Sequence, residues 1–343
     1  MTQRTDFAVH HLRFEVEALT LLLLPAHAGP SIRGALFDAL RCHFCPLPAR
    51  ETPGADHKAI CPVCWLMATE NPDHGRGRDV PRPYAVEPPL LSSGHSRRSR
   101  MFKAGERFSF DLILFARALN LFPYLVVAMP LMGEAGLGVP LRENAEEGRK
   151  RRGQFVLRRV EALHPLTGET ATVMAEGEST VQMPDLPVTA PDVAAASRAM
   201  LERLDAGGGE VTLCFRTPAR IVEAGRLTHR PWLGPLFRRL LERLDALRGG
   251  FAGQPPVADR ERLEALADGV RLGRDATKWV EIKSYSRRLK RYTWVSGFVG
   301  SATYRADPET WAALLPYLVW GQVVHVGKDT TRGDGWYEVR AGG

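Results

Sequence analysis

The sequence predicts an α+β protein in which one β-α-β-β-α-β order of elements occurs twice. Runs of β-branched and aromatic residues indicate strands in both halves, and apolar stripes at helical spacing indicate helices between them. A segment rich in Pro, Ala and Gly separates the halves at residues 183–209. The 343 residues are enough for two domains, each with its own core. Two such units in tandem are the ferredoxin-like (RRM-like) arrangement.

The first half, residues 1–182, is predicted to be one domain. Alternating apolar positions at residues 155–160 indicate a strand, and the run FSFDLIL at 108–114 indicates another. In order, we predict a strand at 12–24, a helix at 31–41, strands at 84–91 and 107–115, a helix at 118–132 and a strand at 154–163. A cysteine-containing insert at about 42–83 interrupts this order.

The second half, residues 210–343, repeats the order after the linker at 183–209, in which a short helix at 192–204 is possible. Pro231 opens the clearest helix, because apolar residues follow it at helical spacing. We predict a strand at 210–216, a helix at 231–247, strands at 278–286 and 292–304, a helix at 308–318 and an interrupted strand at 323–339. A further helix is predicted at 259–270.

Positive charge is clustered along the chain. The net charge is +7, and residues 278–291 alone hold six cationic side chains against one carboxylate. Two smaller basic clusters lie at 97–103 and 149–152. Such clusters favour a polyanionic partner, RNA or DNA, over a small metabolite. The apolar runs are too short or too interrupted by proline for a signal peptide or a bilayer span, so we predict a cytoplasmic protein without a membrane partner.

Four of the five cysteines form two pairs, Cys42-x2-Cys45 and Cys61-x2-Cys64, with fifteen residues between them. This spacing is typical of a zinc ribbon, in which each pair supplies two thiolates to one structural zinc ion. The intervening residues have too few apolar side chains to fold alone, and metal binding could supply the missing folding free energy. A disulfide is disfavoured in a reducing cytoplasm. His43 or His57 could replace one of the four cysteines.

Four segments then point to a family: IRGAL at residues 32–36, GEAGLG at 133–138, RTPAR at 216–220, and a terminal pair made of SGFVG at 296–300 with HVGK…GDGWY at 325–337. In these segments the chain resembles the CRISPR-associated endoribonucleases of the RAMP superfamily, which process precursor CRISPR RNA. The terminal pair is the most specific of them. The resemblance implies tandem ferredoxin-like domains and CRISPR repeat RNA, or the mature crRNA, as the partner.

The resemblance also implies a metal-independent reaction. The 2′-OH of the RNA attacks the neighbouring phosphorus and leaves a 2′,3′-cyclic phosphate and a 5′-OH. This needs a base, an acid and donors to the non-bridging oxygens. The predicted catalytic residues are His27, Tyr285 and His325. Each has a plainer interpretation: an incidental surface histidine for His27, expected to be exposed, a cross-strand core aromatic for Tyr285, and a hydrogen-bonded histidine on a core strand for His325.

The basic segment and the glycine-rich loop are predicted to bind RNA. Planar guanidinium groups suit bidentate contact with phosphate, and glycines allow the backbone to approach it. The glycines have an alternative explanation, a turn or bulge that requires positive φ. The predicted RNA contacts are Arg287, Arg288, Lys290, Arg291, Gly327, Lys328, Gly333 and Gly335.

The remaining histidines, His10, His11, His74, His164 and His229, are predicted at the surface, and His95 is a weaker catalytic candidate beside a basic cluster. Two residues depart from the family pattern. Asp329 stands where relatives usually have a glycine, and Asp334 adds a second carboxylate between the loop glycines. These carboxylates leave open a loop that binds RNA less tightly or one that binds a protein partner. Two alternative functions also stay open: a non-catalytic RAMP subunit that holds guide RNA in a CRISPR effector complex, and a zinc-ribbon scaffold that binds protein or nucleic acid.

Overall fold

The computed structural model describes residues 6–48, 51, 53–68, 81–90, 99–146, 148–207, 209–286 and 291–342. The described chain forms two βαββαβ units, each built on an antiparallel sheet. This confirms the predicted α+β, tandem ferredoxin-like architecture.

In the first domain the sheet order is β3-β5-β1-β8-β9, so the four strands of the ferredoxin-like core stand in the order 2-3-1-4. Helices α1 and α4 pack against each other on this unit. The elements are β1 Val9–Ala18, β2 Leu22–Leu24, α1 Gly29–Phe44, α2 Ala55–Ile60, α3 Pro62–Met67, β3 Tyr84–Glu87, β4 Arg100–Phe102, β5 Arg107–Phe115, α4 Phe122–Ala135, β6 Leu137–Glu146, β7 Arg149–Gly153, β8 Phe155–Leu163 and β9 Thr170–Met174.

The second domain repeats the arrangement with the sheet order β13-β14-β10-β15. The predicted linker, residues 183–209, contains α5, which packs against α8. The elements are α5 Ala190–Gly207, β10 Glu210–Ala219, β11 Ile221–Glu223, β12 Arg226–Thr228, α6 Leu233–Ala252, α7 Arg260–Gly269, β13 Arg271–Ser286, β14 Arg291–Arg305, α8 Pro308–Val324 and β15 Tyr337–Ala341.

Strand β5 shows why the domains are joined tightly. Leu112 and Leu114 point into the core of the first domain, whereas Ile113 and Phe115 belong to the apolar cluster of the second. Successive side chains of a strand lie on opposite faces, so the first sheet is buried on both sides here. The inter-domain contact is therefore apolar and extensive, and polar groups inside it need partners.

Two predicted strands differ from the structure, and one hairpin was missed. The strand predicted at 12–24 is two strands, β1 and β2, and β2 pairs with β4 instead of joining the main sheet. The strand predicted at 323–339 is wrong, because α8 continues to Val324 and β15 begins only at Tyr337. The hairpin formed by β6 and β7 was not predicted from sequence, since its mostly exposed, charged residues carry no apolar alternation.

Three histidines predicted at the surface, His10, His11 and His164, are buried. His74 and His95 lie outside the described residues.

One helical stretch, Ala116–Ala135, is long and apolar enough to cross a membrane by composition. Its residues Phe122, Leu125 and Met129 are buried in the core of the first domain, which accounts for its composition.

Candidate functional site

His27 lies where the two domains meet. It stands between β2 and α1, and α1 begins with Gly29 and has a proline in its first turn. The segment facing it is the glycine-rich loop, residues 325–336, which connects α8 to β15. A Cβ built on Gly333 would lie 2.5 Å from the carbonyl oxygen of Val86 in β3, so only glycine allows this loop to approach the first domain so closely.

The partner of His27 is Asp334 in that loop. Nε2 of His27 lies 2.7 Å from Oδ1 of Asp334, and both side chains are buried. Burial alone would lower the pKa of His27, but the nearby charge and hydrogen bond of Asp334 outweigh it and raise the pKa above 6.5. The expectation of an exposed His27 is wrong, because the loop packs over it. Asp334, unexplained from sequence, is now accounted for by this pair.

A second buried cluster joins the domains through Glu87 at the end of β3. Nε2 of His325 lies 2.9 Å from one carboxylate oxygen of Glu87, and Nε2 of His11 lies 3.1 Å from the other. Nε2 of His11 is also 3.0 Å from Oδ2 of Asp111, and Arg13 binds the same carboxylate from the partly exposed side. Glu87 of the first domain thus binds His325 of the second, and His11, itself held by Asp111, supports Glu87 from the other side.

The charges in this cluster follow from its geometry. Burial opposes a charge on His11, but Glu87 and Asp111 raise its pKa to about 10. Burial also opposes a charge on Glu87, but His11 and His325 lower its pKa to about 2. His325 is different, because burial lowers its pKa despite Glu87. The neutral ring of His325 therefore donates its Nε2 hydrogen to the Glu87 carboxylate.

The sequence placed His325 on an apolar strand, and this prediction is wrong. His325 instead caps the C-terminus of α8, with φ of 64°. Its side chain is fully buried and holds the two domains together through Glu87. The structure thus gives His325 a structural contact, and its catalytic role stays a prediction.

The three predicted RNA-contacting glycines all have positive φ: 88° for Gly327, 90° for Gly333 and 73° for Gly335. Their neighbours are protein backbone. A Cβ on Gly327 would lie 2.5 Å from the carbonyl oxygen of Arg220, and one on Gly335 would lie 1.8 Å from that of Val326. These contacts explain why glycine is needed. Of the eight predicted RNA contacts, Gly327 and Lys328 lie on the partly exposed part of this loop.

The described part of the predicted basic segment lies at the end of β13, up to Ser286, and at the start of β14, from Arg291. Arg291 is exposed there, whereas Arg287, Arg288 and Lys290 lie outside the described residues. Tyr285 pairs with Tyr292 in the strand register, and its side chain is also outside what the structure describes.

Trp294, which the sequence analysis did not select, is 60% exposed on β14 and stands opposite Lys283. An exposed indole beside cations is a surface on which a base can stack. The sequence feature that could have indicated this residue is a tryptophan within a pair of predicted strands rich in basic residues.

The cysteine insert brings together Cys45, His57, Cys61 and Cys64. Cys42 does not join them, and its side chain is exposed. The predicted first knuckle is wrong in this respect, because α1 continues through Cys42 to Phe44. Cys45 follows directly after the helix, and His57, on α2, stands where the fourth cysteine was expected. Cys214 in β10 is half-buried and outside this cluster.

Two family models match the chain. One, described as an N-terminal domain, matches residues 7–186, and that of the CRISPR-associated endoribonuclease Cas6 matches residues 213–337. The second domain is therefore a Cas6 domain of the CRISPR-associated endoribonuclease type. The family assignment that the sequence motifs predicted is thereby confirmed. A search of curated protein sequences found no significant match.

Solved structures of Cas6 proteins share the fold. Thermus thermophilus Cas6 is 14% identical with a TM-score of 0.52, over 98% of this chain and all of the other. A Cas6 product complex is 15% identical with a TM-score of 0.53, and the match covers 97% of this chain and all of the other. A chain of a partial Cas6-RT-Cas1–Cas2 complex is 13% identical with a TM-score of 0.57, and the match covers 98% of this chain and 46% of the other.

Proposed function

We propose that this protein binds CRISPR repeat RNA and cleaves it by attack of the RNA's own 2′-OH, to give mature guide RNA. The Cas6 domain supports RNA cleavage, and one of the similar structures is described as a Cas6 product complex. Another similar chain belongs to a Cas6-RT-Cas1–Cas2 complex, which supports other CRISPR proteins as partners.

The pairing of His27 with Asp334 is the observation that carries this proposal. Asp334 fixes the imidazole and raises its pKa, so the ring stays protonated to a higher pH than a free histidine. A protonated His27 can act as the general acid. When the 2′-oxygen bonds to phosphorus, the bond from phosphorus to the 5′-oxygen breaks, and the departing oxygen takes a proton from His27 while a base accepts the 2′-hydroxyl proton.

Nδ1 of His27 is the nitrogen available for that transfer. Nε2 is bound to Asp334, and Nδ1 is buried without a hydrogen-bond partner among the described residues. Because the ring is 7% exposed, the proposal requires RNA binding to move the covering residues and bring the leaving oxygen to Nδ1. The partly exposed Arg332 lies two residues before Asp334 and pairs with Asp329 at 3.0 Å, so this ion pair is a contact that RNA could displace.

RNA binding is proposed at the β13–β14 hairpin. Arg291, Lys278 and Lys283 are exposed there, and Trp294 stands opposite Lys283. Cations would neutralise phosphates, and the indole would stack on one base, which contributes about 1–3 kcal/mol in single-strand complexes. The predicted contacts Arg287, Arg288 and Lys290 fall between β13 and β14 in the sequence, outside the described residues.

The test is single-turnover cleavage of an end-labelled repeat RNA taken from the CRISPR array of the source genome. We expect one cut that leaves a 2′,3′-cyclic phosphate, that persists in EDTA, and that is abolished by a 2′-deoxy nucleotide immediately upstream of the cut. The deoxy RNA should still bind, since its phosphates are unchanged. Cleavage of the deoxy RNA would exclude 2′-OH attack, and tight binding without any cut would identify a non-catalytic RNA-holding subunit.

A further inference from the structure

The insert after α1 gathers four metal-ligating side chains from separate positions. Cys45 follows α1, His57 lies on α2, Cys61 precedes α3, and Cys64 lies on α3. One ligand atom of each residue lies within 4.8 Å of the corresponding atom in every other. Cys61 and Cys64 are buried.

Two separations in this cluster fit the edges of a tetrahedron around one zinc ion. Bonds of about 2.3 Å to sulfur and about 2.0 Å to nitrogen at the tetrahedral angle place two sulfurs about 3.8 Å apart and a sulfur and nitrogen about 3.5 Å apart. The Sγ atoms of Cys45 and Cys64 are 3.7 Å apart, and Sγ of Cys45 is 3.3 Å from Nε2 of His57. A disulfide between Cys45 and Cys64 would need about 2.0 Å instead.

A buried cation beside the sulfurs supports the same conclusion. Arg41 is 4% exposed, and its Nη1 hydrogen-bonds Sγ of Cys45 and lies 4.0 Å from Sγ of Cys64. Its Nη2 binds the carbonyl oxygens of Pro48 and Glu51, which fixes the guanidinium in place. Three thiolates and one neutral histidine around a divalent zinc ion leave one net negative charge, which Arg41 balances. Neutral thiols would leave the buried guanidinium without a counter-charge.

We propose that Cys45, His57, Cys61 and Cys64 bind one Zn²⁺ as a Cys3His site, with Arg41 as the counter-charge and with Cys42 outside the ligand set. Zinc then fixes α2 and α3, which at six residues each are too short to be stable alone. The site also reaches the domain junction. Trp65, next to Cys64, packs edge-on against Phe251 of α6 at 5.8 Å, and Arg117 lies 5.0 Å above the same indole.

Metal analysis of the purified, reduced wild-type protein is the first test. We expect about one zinc per chain, and the same content in Cys42→Ser, because that side chain is exposed and outside the cluster. His57→Ala and Cys61→Ser should each lose most of the metal. Arg41→Met keeps all four ligands and should weaken zinc affinity about 10–100-fold, as measured by chelator competition.

Cobalt substitution tests the ligand set without any mutation that could prevent folding. Co²⁺ in the wild-type protein should give the strong visible bands of a tetrahedral site and a sulfur-to-metal charge-transfer intensity for three thiolates. The spectrum of Cys42→Ser should be unchanged. Intensity for four thiolates, or a change in Cys42→Ser, would overturn the Cys3His assignment in favour of four cysteines. Absence of bound metal together with no uptake of Zn²⁺ or Co²⁺ would overturn the site altogether.

Discussion

The carbonyl oxygen of Arg332 occupies the space where a Cβ of Gly29 would be: an ideal Cβ built on Gly29 would lie 1.7 Å from that oxygen. Gly29 begins α1 in the first domain, and Arg332 lies in the glycine-rich loop of the second. His27 is two residues before Gly29, and Asp334 is two residues after Arg332. This close backbone approach between the domains therefore stands beside the proposed catalytic pair and holds it at hydrogen-bond distance.

Gly29→Ala should consequently destabilise the protein by about 1–3 kcal/mol, because one methyl group must push two backbones apart. The free energy of unfolding in urea measures this. Gly250→Ala is the matched control, since Gly250 is also helical and a Cβ there meets nothing within 4 Å. It should be neutral or stabilising by about 0.5–1 kcal/mol. Equal effects of the two substitutions would mean that the close approach at Gly29 does not restrict the fold.

If His27 is the general acid, His27→Ala should lower the cleavage rate by about 10²–10⁴ with little change in RNA affinity. The pKa of His27 lies above 6.5, so its acid form, and the rate, should decline only as the pH rises through that higher value. In Asp334→Asn the carboxylate charge that raises this pKa is absent and burial remains, so the decline should move to lower pH. Glu178→Gln, which removes an exposed carboxylate, should leave the profile unchanged. A profile that does not move in Asp334→Asn would exclude His27 as the titrating acid.

The Glu87 cluster makes stability depend on pH in two directions. The pKa of His11 rises from 6.5 to about 10, so its contribution is complete below pH 6.5 and is lost as the pH rises through about 10. The pKa of Glu87 falls from 4.5 to about 2, so its contribution is complete above pH 4.5 and is lost as the pH falls through about 2.

Glu87→Gln should weaken both the loss of stability at high pH and the loss at low pH. It should also destabilise the protein by about 3–5 kcal/mol, since it leaves the buried His325 without its carboxylate partner. Urea unfolding across the pH range measures both effects. Glu15→Gln on β1 is the control. Its partly exposed ion pair with Arg107 should contribute at most about 1 kcal/mol. If the two variants lose equal stability, the buried cluster does not couple the domains.

If the β13–β14 hairpin binds RNA as proposed, its charges and its exposed indole should make two separable contributions to affinity. Alanine at Arg287, Arg288, Lys290 and Arg291 should reduce the slope of log affinity against log salt by roughly 0.7 for each phosphate that these side chains neutralise in the wild-type complex. Trp294→Ala should weaken binding by about 1–3 kcal/mol at every salt concentration without changing that slope.

Trp232→Ala is the control for that experiment, because Trp232 is 44% exposed but lies outside the hairpin, just before α6. An unchanged slope in the four-residue variant would mean that the hairpin faces something other than RNA. The basic residues of the β6–β7 hairpin, 149–152, would then be the next to test.

The sequence predicted elements whose side chains alternate between core and solvent or form one apolar stripe. β10 shows the first pattern and α6 the second. β5 is buried on both faces, but its continuous run of apolar and aromatic residues also indicates a strand. The β6–β7 hairpin was not predicted, because neither of its faces is packed into the core of the domain. Likewise, the apolar residues 323–326 fit a strand as well as the end of a helix, and only the packing of α8 decides between them.

The site was predictable in part for a similar reason. Motifs identified the loop containing His27 and the glycine-rich loop, but no local pattern pairs His27 with Asp334 or His325 with Glu87. Those contacts depend on how two domains pack. For the metal ligands, spacing identified the cysteine pairs, whereas the exclusion of Cys42 depends on α1 continuing past it, and a helix end is poorly defined by sequence.

The 307 positions that separate His27 from Asp334 have a consequence during synthesis. At about 5–20 residues per second, a ribosome needs roughly 15–60 s to add Asp334 after His27. Throughout that time the emerging first domain contains the imidazole without the carboxylate that positions it. A half-translated chain thus lacks the assembled His27–Asp334 pair. If that pair transfers the proton as proposed, RNA processing begins only after translation has delivered the second domain.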